Sequence, residues 1–159
     1  MLSVLAYAID HLLVKDGTFD APPPVHLLIP IFIVVIVGHT SCGGAVACLK
    51  AAQTPNLNLD GDIVTIDSRP GDSPLNRWLE PLTRLVSTLP LAGKSQDEAL
   101  SIVIDANVVE QVERLALSKT IQGAWESGHP VRIHGWVYDL RTGLLRDLGV
   151  TKGPKNELI

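Results

Sequence analysis

Cysteine is scarce in this chain: Cys42 and Cys48 are the only two in 159 residues. That is too few for a disulfide framework and normal for a reducing compartment, so a role for either points to a thiolate or to packing. Runs of lysine or arginine are missing as well. With a formal net charge of −4 at pH 7, the chain carries neither a nucleic-acid footprint nor a polybasic membrane patch, and a small neutral or anionic substrate stays open. The longest apolar run, VHLLIPIFIVVIV from Val25 to Val37, contains Pro30 and falls short of the roughly 20 residues a spanning helix needs. No basic residue precedes the N-terminal apolar stretch, which Asp10 interrupts. A secretory signal is therefore not expected, and a cytoplasmic location is. No internal repeat is visible.

What is present suffices for one domain spanning 1–159, because a hydrophobic content of 46% can build a real core. Leu2, Leu5, Ala6, Ile9, Leu12 and Leu13 recur at helical spacing and predict an amphipathic helix ending near Lys15. Residues 16–30 include Asp16-Gly17 and the run Pro22 to Pro24, which forbid regular pairing and read as a proline-rich insertion. Ile31 to Val37 is a β-branched run expected of a strand covered on both faces in a parallel sheet. From Gly43 the spacing of Ala45, Val46, Leu49 and Ala52 predicts a helix closed before Pro55. Strand, tight turn and helix in that order make an α/β unit.

Thr54 to Asp72 reads as a loop with a short strand possible at Ile63 to Ile66. Ser73-Pro74 is a helix start, with Leu75, Trp78, Leu79, Leu82, Leu85, Val86 and Leu89 on one apolar face. A further helix from about Asp97 to Leu117 would turn Ile102, Val109, Val112, Leu115 and Ala116 inward, and Ser118 and Gly128 bracket a short one. VRIHGWVYDLRTGLLRDLG alternates and turns at Leu140-Arg141-Thr142-Gly143, the pattern of a β-hairpin, and 150–159 reads as a tail. The fold class expected is α/β, a mainly parallel sheet flanked by helices with a C-terminal hairpin.

The chemistry gathers in VVIVGHTSCGGAVACL, where His39 and Cys42 stand three positions apart between the apolar run and Gly43-Gly44. One turn can aim both side chains at one ion, and zinc accepts such a nitrogen and sulfur pair. Cys42 also precedes a helix, whose first amides favour a thiolate, and glycine at 43 and 44 would let the backbone approach closely. A thiol nucleophile with His39 as its base, or plain packing, are the other readings of the pair.

GHTSCGGA, Gly38 to Ala45, resembles the zinc loop of the β-class carbonic anhydrases. SVLAYAIDHLLVK, PLNRWLEPL, NVVEQVERLALSKTIQGAW and VRIHGWVYDLRTGLLRDL are similar to further segments of that family, in its order, and closest to fungal members. The resemblance implies a zinc enzyme that converts carbon dioxide to bicarbonate, with His39 and Cys42 as two of three protein ligands and a homodimer or higher homo-oligomer as the assembly. It implies that zinc lowers the pKa of its water towards about 7, giving the attacking hydroxide. It also implies an earlier C-x-D-S-R segment carrying another ligand; this chain starts after that point, so an incomplete sheet is expected.

TIDSR at Thr65 to Arg69 imitates that segment with threonine for cysteine, but it follows the loop instead of preceding it. Asp67 and Arg69 are expected to be solvated. Cys48 reads as a small buried apolar residue, His134 as a hydrogen-bonded one, and Trp78, Trp125 and Trp136 as core. His11, His26 and His129 have no partner spacing. Two functions from different classes follow: a zinc-dependent carbonic anhydrase impaired by the missing segment, or a non-catalytic, metal-poor remnant that at most dimerises.

Overall fold

A computed structural model of the chain describes residues 32–54, 63, 65–66 and 69–154. The helix expected over 3–15 and the insertion at 16–30 lie outside these residues. The elements are β1 (Phe32–His39), α1 (Gly43–Ala52), α2 (Pro74–Thr88), α3 (Gln96–Ala116), α4 (Lys119–Glu126), β2 (Val131–Tyr138) and β3 (Leu145–Lys152). β2 is central, parallel to β1 and antiparallel to β3, with an irregularity between Gly135 and Trp136. The fold is α/β, with helices against a partly parallel sheet.

Local chemistry sets the helix ends where the sequence places them. Ser73 caps α2 by accepting from the Asn76 N–H at 3.3 Å, with Pro74 at the first helical position. Ser95 and Glu98 form a reciprocal capping box at α3, and Ser118 caps α4. Gly128, at φ 79°, ends α4 in the left-handed conformation that glycine tolerates. The hairpin closes through Asp139 N–H to Leu144 O and Gly143 N–H to Asp139 O, both 2.8 Å. β3 extends through Lys152, so Val150 to Lys152, read as tail, belong to the sheet.

α3 lies across all three strands and organises two apolar clusters. Val103, Ile104 and Val108 meet α1, α2 and Val137 in the first. Val112 and Ala116 meet α4, Val131 and Ile133 in the second. The buried stripe of α3 therefore runs through Val103, Ile104, Val108, Val112 and Ala116, while Ile102, Val109 and Leu115, read as inward, are only half-buried.

Three other expectations are corrected. β1 packs one face through Phe32, Val34 and Ile36, yet Ile33 and Val37 on the other are 64% and 50% exposed. Ile63, Thr65 and Ile66 are not strand; Asn76, fully buried, accepts from the Ile66 N–H at 2.9 Å and donates to the Ile66 and Pro70 carbonyls. Trp78 is 73% exposed, because the buried stripe of α2 is Asn76, Leu79, Thr83 and Val86. Two polar residues sit on that stripe, both with hydrogen-bond partners, and this turns the indole outward.

Candidate metal centre

β1 delivers His39 as its last residue, opposite Tyr138 of β2. The strand comes this close to α3 only because position 38 is glycine: a Cβ there would stand 2.6 Å from Val108 Cγ2 and 3.3 Å from Ile104 Cγ2. Thr40 then fixes the loop, donating its N–H to the Tyr138 carbonyl and accepting at Oγ1 from the Leu140 N–H, each at 3.0 Å. Ser41 reverses the chain at φ 59°, a region uncommon for any residue but glycine. Cys42 follows as the N-cap of α1, and its side chain makes no capping hydrogen bond.

The exposed His39 ring places Nδ1 3.0 Å from the Thr40 carbonyl. A carbonyl can only accept, so Nδ1 carries the hydrogen and the neutral ring presents a lone pair at Nε2. Metal-ligating histidines are held in this way, one ring nitrogen tied to a backbone oxygen and the other left to the ion. The same bond leaves Nδ1 without a lone pair for the Cys42 thiol, which counts against that nitrogen as its base.

Cys42 is a half-buried free thiol. The glycines after it do not serve the close approach expected of them. Nothing lies within 4 Å of a Cβ at Gly43, and one at Gly44 would make ordinary contacts with Leu79, Trp78 and the Cys42 sulfur, at 3.4, 3.8 and 3.9 Å. Cys48 is fully buried, its thiol directed at the Leu79 carbonyl at 3.7 Å. Burial pushes the Cys48 pKa up and the nearby Cys42 charge adds to this, while a hydrogen bond to Thr83 opposes it. Cys48 is a packed thiol, as expected.

Thr65 serves structure instead of a metal: its buried Oγ1 lies 2.8 Å from Thr83 Oγ1, which donates to the Leu79 carbonyl at 3.2 Å. Arg69 is exposed, as expected of a solvated charge, and Asp67 lies outside the described residues. His134 pairs with Thr151 Oγ1 at 2.9 Å, and Trp125, half-buried, donates to the Val131 carbonyl at 2.8 Å. Trp136 is half-buried, and His11 and His26 lie outside the described residues. A cleft of about 280 Å³ beside the loop is lined by Thr40, Ser41, Ser101, Asp105, Arg141 and Arg146, and it includes neither His39 nor Cys42.

Among the described residues, no group of three or more histidine, cysteine, aspartate or glutamate side chains is placed to hold a metal ion. A catalytic zinc takes three protein ligands. His39 is presented as a ligand would be, but these residues alone do not fit a complete zinc site.

The profile of the carbonic anhydrase family matches residues 29–145, which include the whole loop. The chain belongs to the carbonic anhydrase family. It is 27% identical over 150 residues to a carbonic anhydrase of Emericella nidulans, covering 94% of this chain and 51% of that protein. The fold is that of the β class. A β-carbonic anhydrase from Coccomyxa, solved with acetazolamide, superposes with a TM-score of 0.67 at 25% identity, over 95% of this chain and 54% of its own. The β-carbonic anhydrase CafA of Aspergillus fumigatus does so with 0.57 at 28%, over 92% and 54%. The chain thus spans about half the length of these relatives.

What sequence reasoning missed around the loop is its support. Thr40 and Leu140 stand 100 positions apart, and no spacing rule links a loop threonine to the tip of a distant hairpin.

Proposed function

We propose that this chain's chemistry is that of its family, the reversible hydration of carbon dioxide to bicarbonate at a zinc ion, with His39 and Cys42 as two of the protein ligands. One observation carries this reading: within the matched segment, His39 is held through Nδ1 with Nε2 free, three positions ahead of Cys42. Both flank one turn, which supports their convergence on one ion, with donor atoms within about 4 Å for zinc bonds of about 2.0–2.3 Å. Gly38, Gly43 and Gly44 complete that loop.

Since the described residues offer two donors, the chain by itself holds zinc well below one ion per subunit and turns over slowly. The same donor count favours a second reading, a metal-poor domain that folds and self-associates without catalysis. A homodimer or higher homo-oligomer suits both, because β1 leaves an unpaired edge among the described residues. No helix among them is long and apolar enough to cross a membrane, and a cytoplasmic setting belongs to this proposal.

Metal analysis by mass spectrometry, paired with stopped-flow carbon dioxide hydration, tests it. Substoichiometric zinc with slow hydration, lost on Cys42→Ser, is the expected result. Stoichiometric zinc with fast turnover would mean that a third ligand lies outside the described residues. Hydration unchanged by Cys42→Ser or His39→Ala would overturn the assignment.

A further inference from the structure

β1 is an edge of the sheet among the described residues, and it lacks the devices by which edges are protected. FIVVIVGH contains no lysine, no acidic residue and no proline, and its pairing to β2 runs without a bulge. Its backbone polarity can be read from its ends. The Phe32 N–H donates to the Pro130 carbonyl at 3.2 Å and the Thr40 N–H to the Tyr138 carbonyl at 3.0 Å. Even-numbered residues therefore turn their backbone groups to β2, and strand alternation turns those of Ile33, Val35 and Val37 to the open edge.

The same three residues share the face of the sheet opposite the packed side chains of Phe32, Val34 and Ile36, and Ile33 and Val37 are 64% and 50% exposed there. Ile33 and Val37 stand symmetrically about Val35. A strand with this symmetry is complementary to itself: antiparallel pairing centred on Val35 sets each Ile33 against the other copy's Val37. All the outward N–H and C=O groups then meet partners, and two apolar cross-strand pairs cover the exposed side chains. Although the whole chain is anionic, β1 bears no charge with which two copies would repel one another.

We infer that β1 is a self-pairing edge: two copies of this chain join their β1 strands antiparallel about a two-fold axis at Val35, uniting the two sheets. This rests on the self-association proposed above and names its surface. Such an isologous contact closes on itself, so it yields a dimer instead of a growing fibre.

Sedimentation equilibrium of the full chain tests the surface and its register together. The parent is expected to dimerise at micromolar concentration. Ile33→Lys with Val37→Lys places like charges opposite each other and should weaken the dimer about tenfold or more. Ile33→Lys with Val37→Glu places opposite charges together, so it should dimerise more tightly than the double-lysine chain and lose that advantage in high salt. Val35→Cys, which adds no charge, should form an interchain disulfide joining position 35 to itself under oxidised glutathione, mapped by mass spectrometry. A monomeric parent, as when the chain's own residues 1–31 cover the edge, overturns the inference. Equal weakening in both charged variants, or no link at position 35, also overturns it. A double-lysine chain that dimerises like the parent removes this surface while leaving self-association itself standing.

Discussion

A methyl group added to Gly38 of β1 would stand 2.6 Å from Val108 Cγ2 of α3. The strand that carries the candidate ligand thus meets the central helix at a point with no room for a side chain. Gly38→Ala should cost about 1–3 kcal/mol by overpacking, with part recovered by Val108→Ala in the same chain. Gly43→Ala, where nothing lies within 4 Å, should change stability by less than about 1 kcal/mol in either direction. Urea denaturation of the four chains checks both statements.

The two thiols should separate cleanly by reactivity. Cys42 is half-buried and Cys48 fully buried with a raised pKa, so a thiol reagent should modify Cys42 in the folded protein and Cys48 only on unfolding. The sign of the Cys48 shift also sets an alkaline limit. Its contribution is intact below the ordinary value of 9.0 and is lost as pH rises through the higher folded value. Melting temperature should fall above pH 9.0 in the parent and less steeply in Cys48→Ala.

Asn76 holds the segment before α2 through Ile66 and Pro70. Asn76→Ala leaves those backbone groups without a protein partner and should destabilise by about 2 kcal/mol or more. Hydrogen exchange at the Ile66 amide should accelerate well beyond the global loss. Protection that falls only in step with global stability would argue against this local anchoring.

Acid should loosen the start of α3. Glu98 accepts from the Ser95 N–H at 2.9 Å and from its hydroxyl at 2.8 Å, which lowers its pKa below the ordinary 4.5. A carboxylate with a depressed folded pKa stabilises above its ordinary value and loses that contribution as pH falls through the folded one. In Glu98→Gln, which cannot titrate, the melting temperature should decline less between pH 4.5 and the acid limit of folding.

Features whose partners lie within a few residues are legible in the amino-acid sequence. Ser73-Pro74, Ser118, Gly128 and the Asp139 to Gly143 turn close their hydrogen bonds locally, so the residue types alone locate the ends of α2 and α4 and the hairpin. The candidate ligands are legible for a like reason, since His39 and Cys42 share one short loop that resembles a known one. Trp78 is misleading because apolarity alone does not mark the buried face of α2, where Asn76 and Thr83 lie buried with partners of their own.

Other properties depend on chain segments that only folding brings together. Phe32 pairs with Val131, and Leu140 reaches the Thr40 hydroxyl. Whether the apolar run of β1 is covered on two faces or one depends on which elements pack beside it, and α3 covers the face of Val34 and Ile36 while Ile33 and Val37 stay exposed. By itself the sequence determined helix caps, the hairpin and the two candidate ligands, because those are short-range chemistry. The tertiary structure decided the tautomer of His39, the room at Gly38 and the open edge at Val35, because each is set by atoms whose positions the residue's own neighbours in the chain do not dictate.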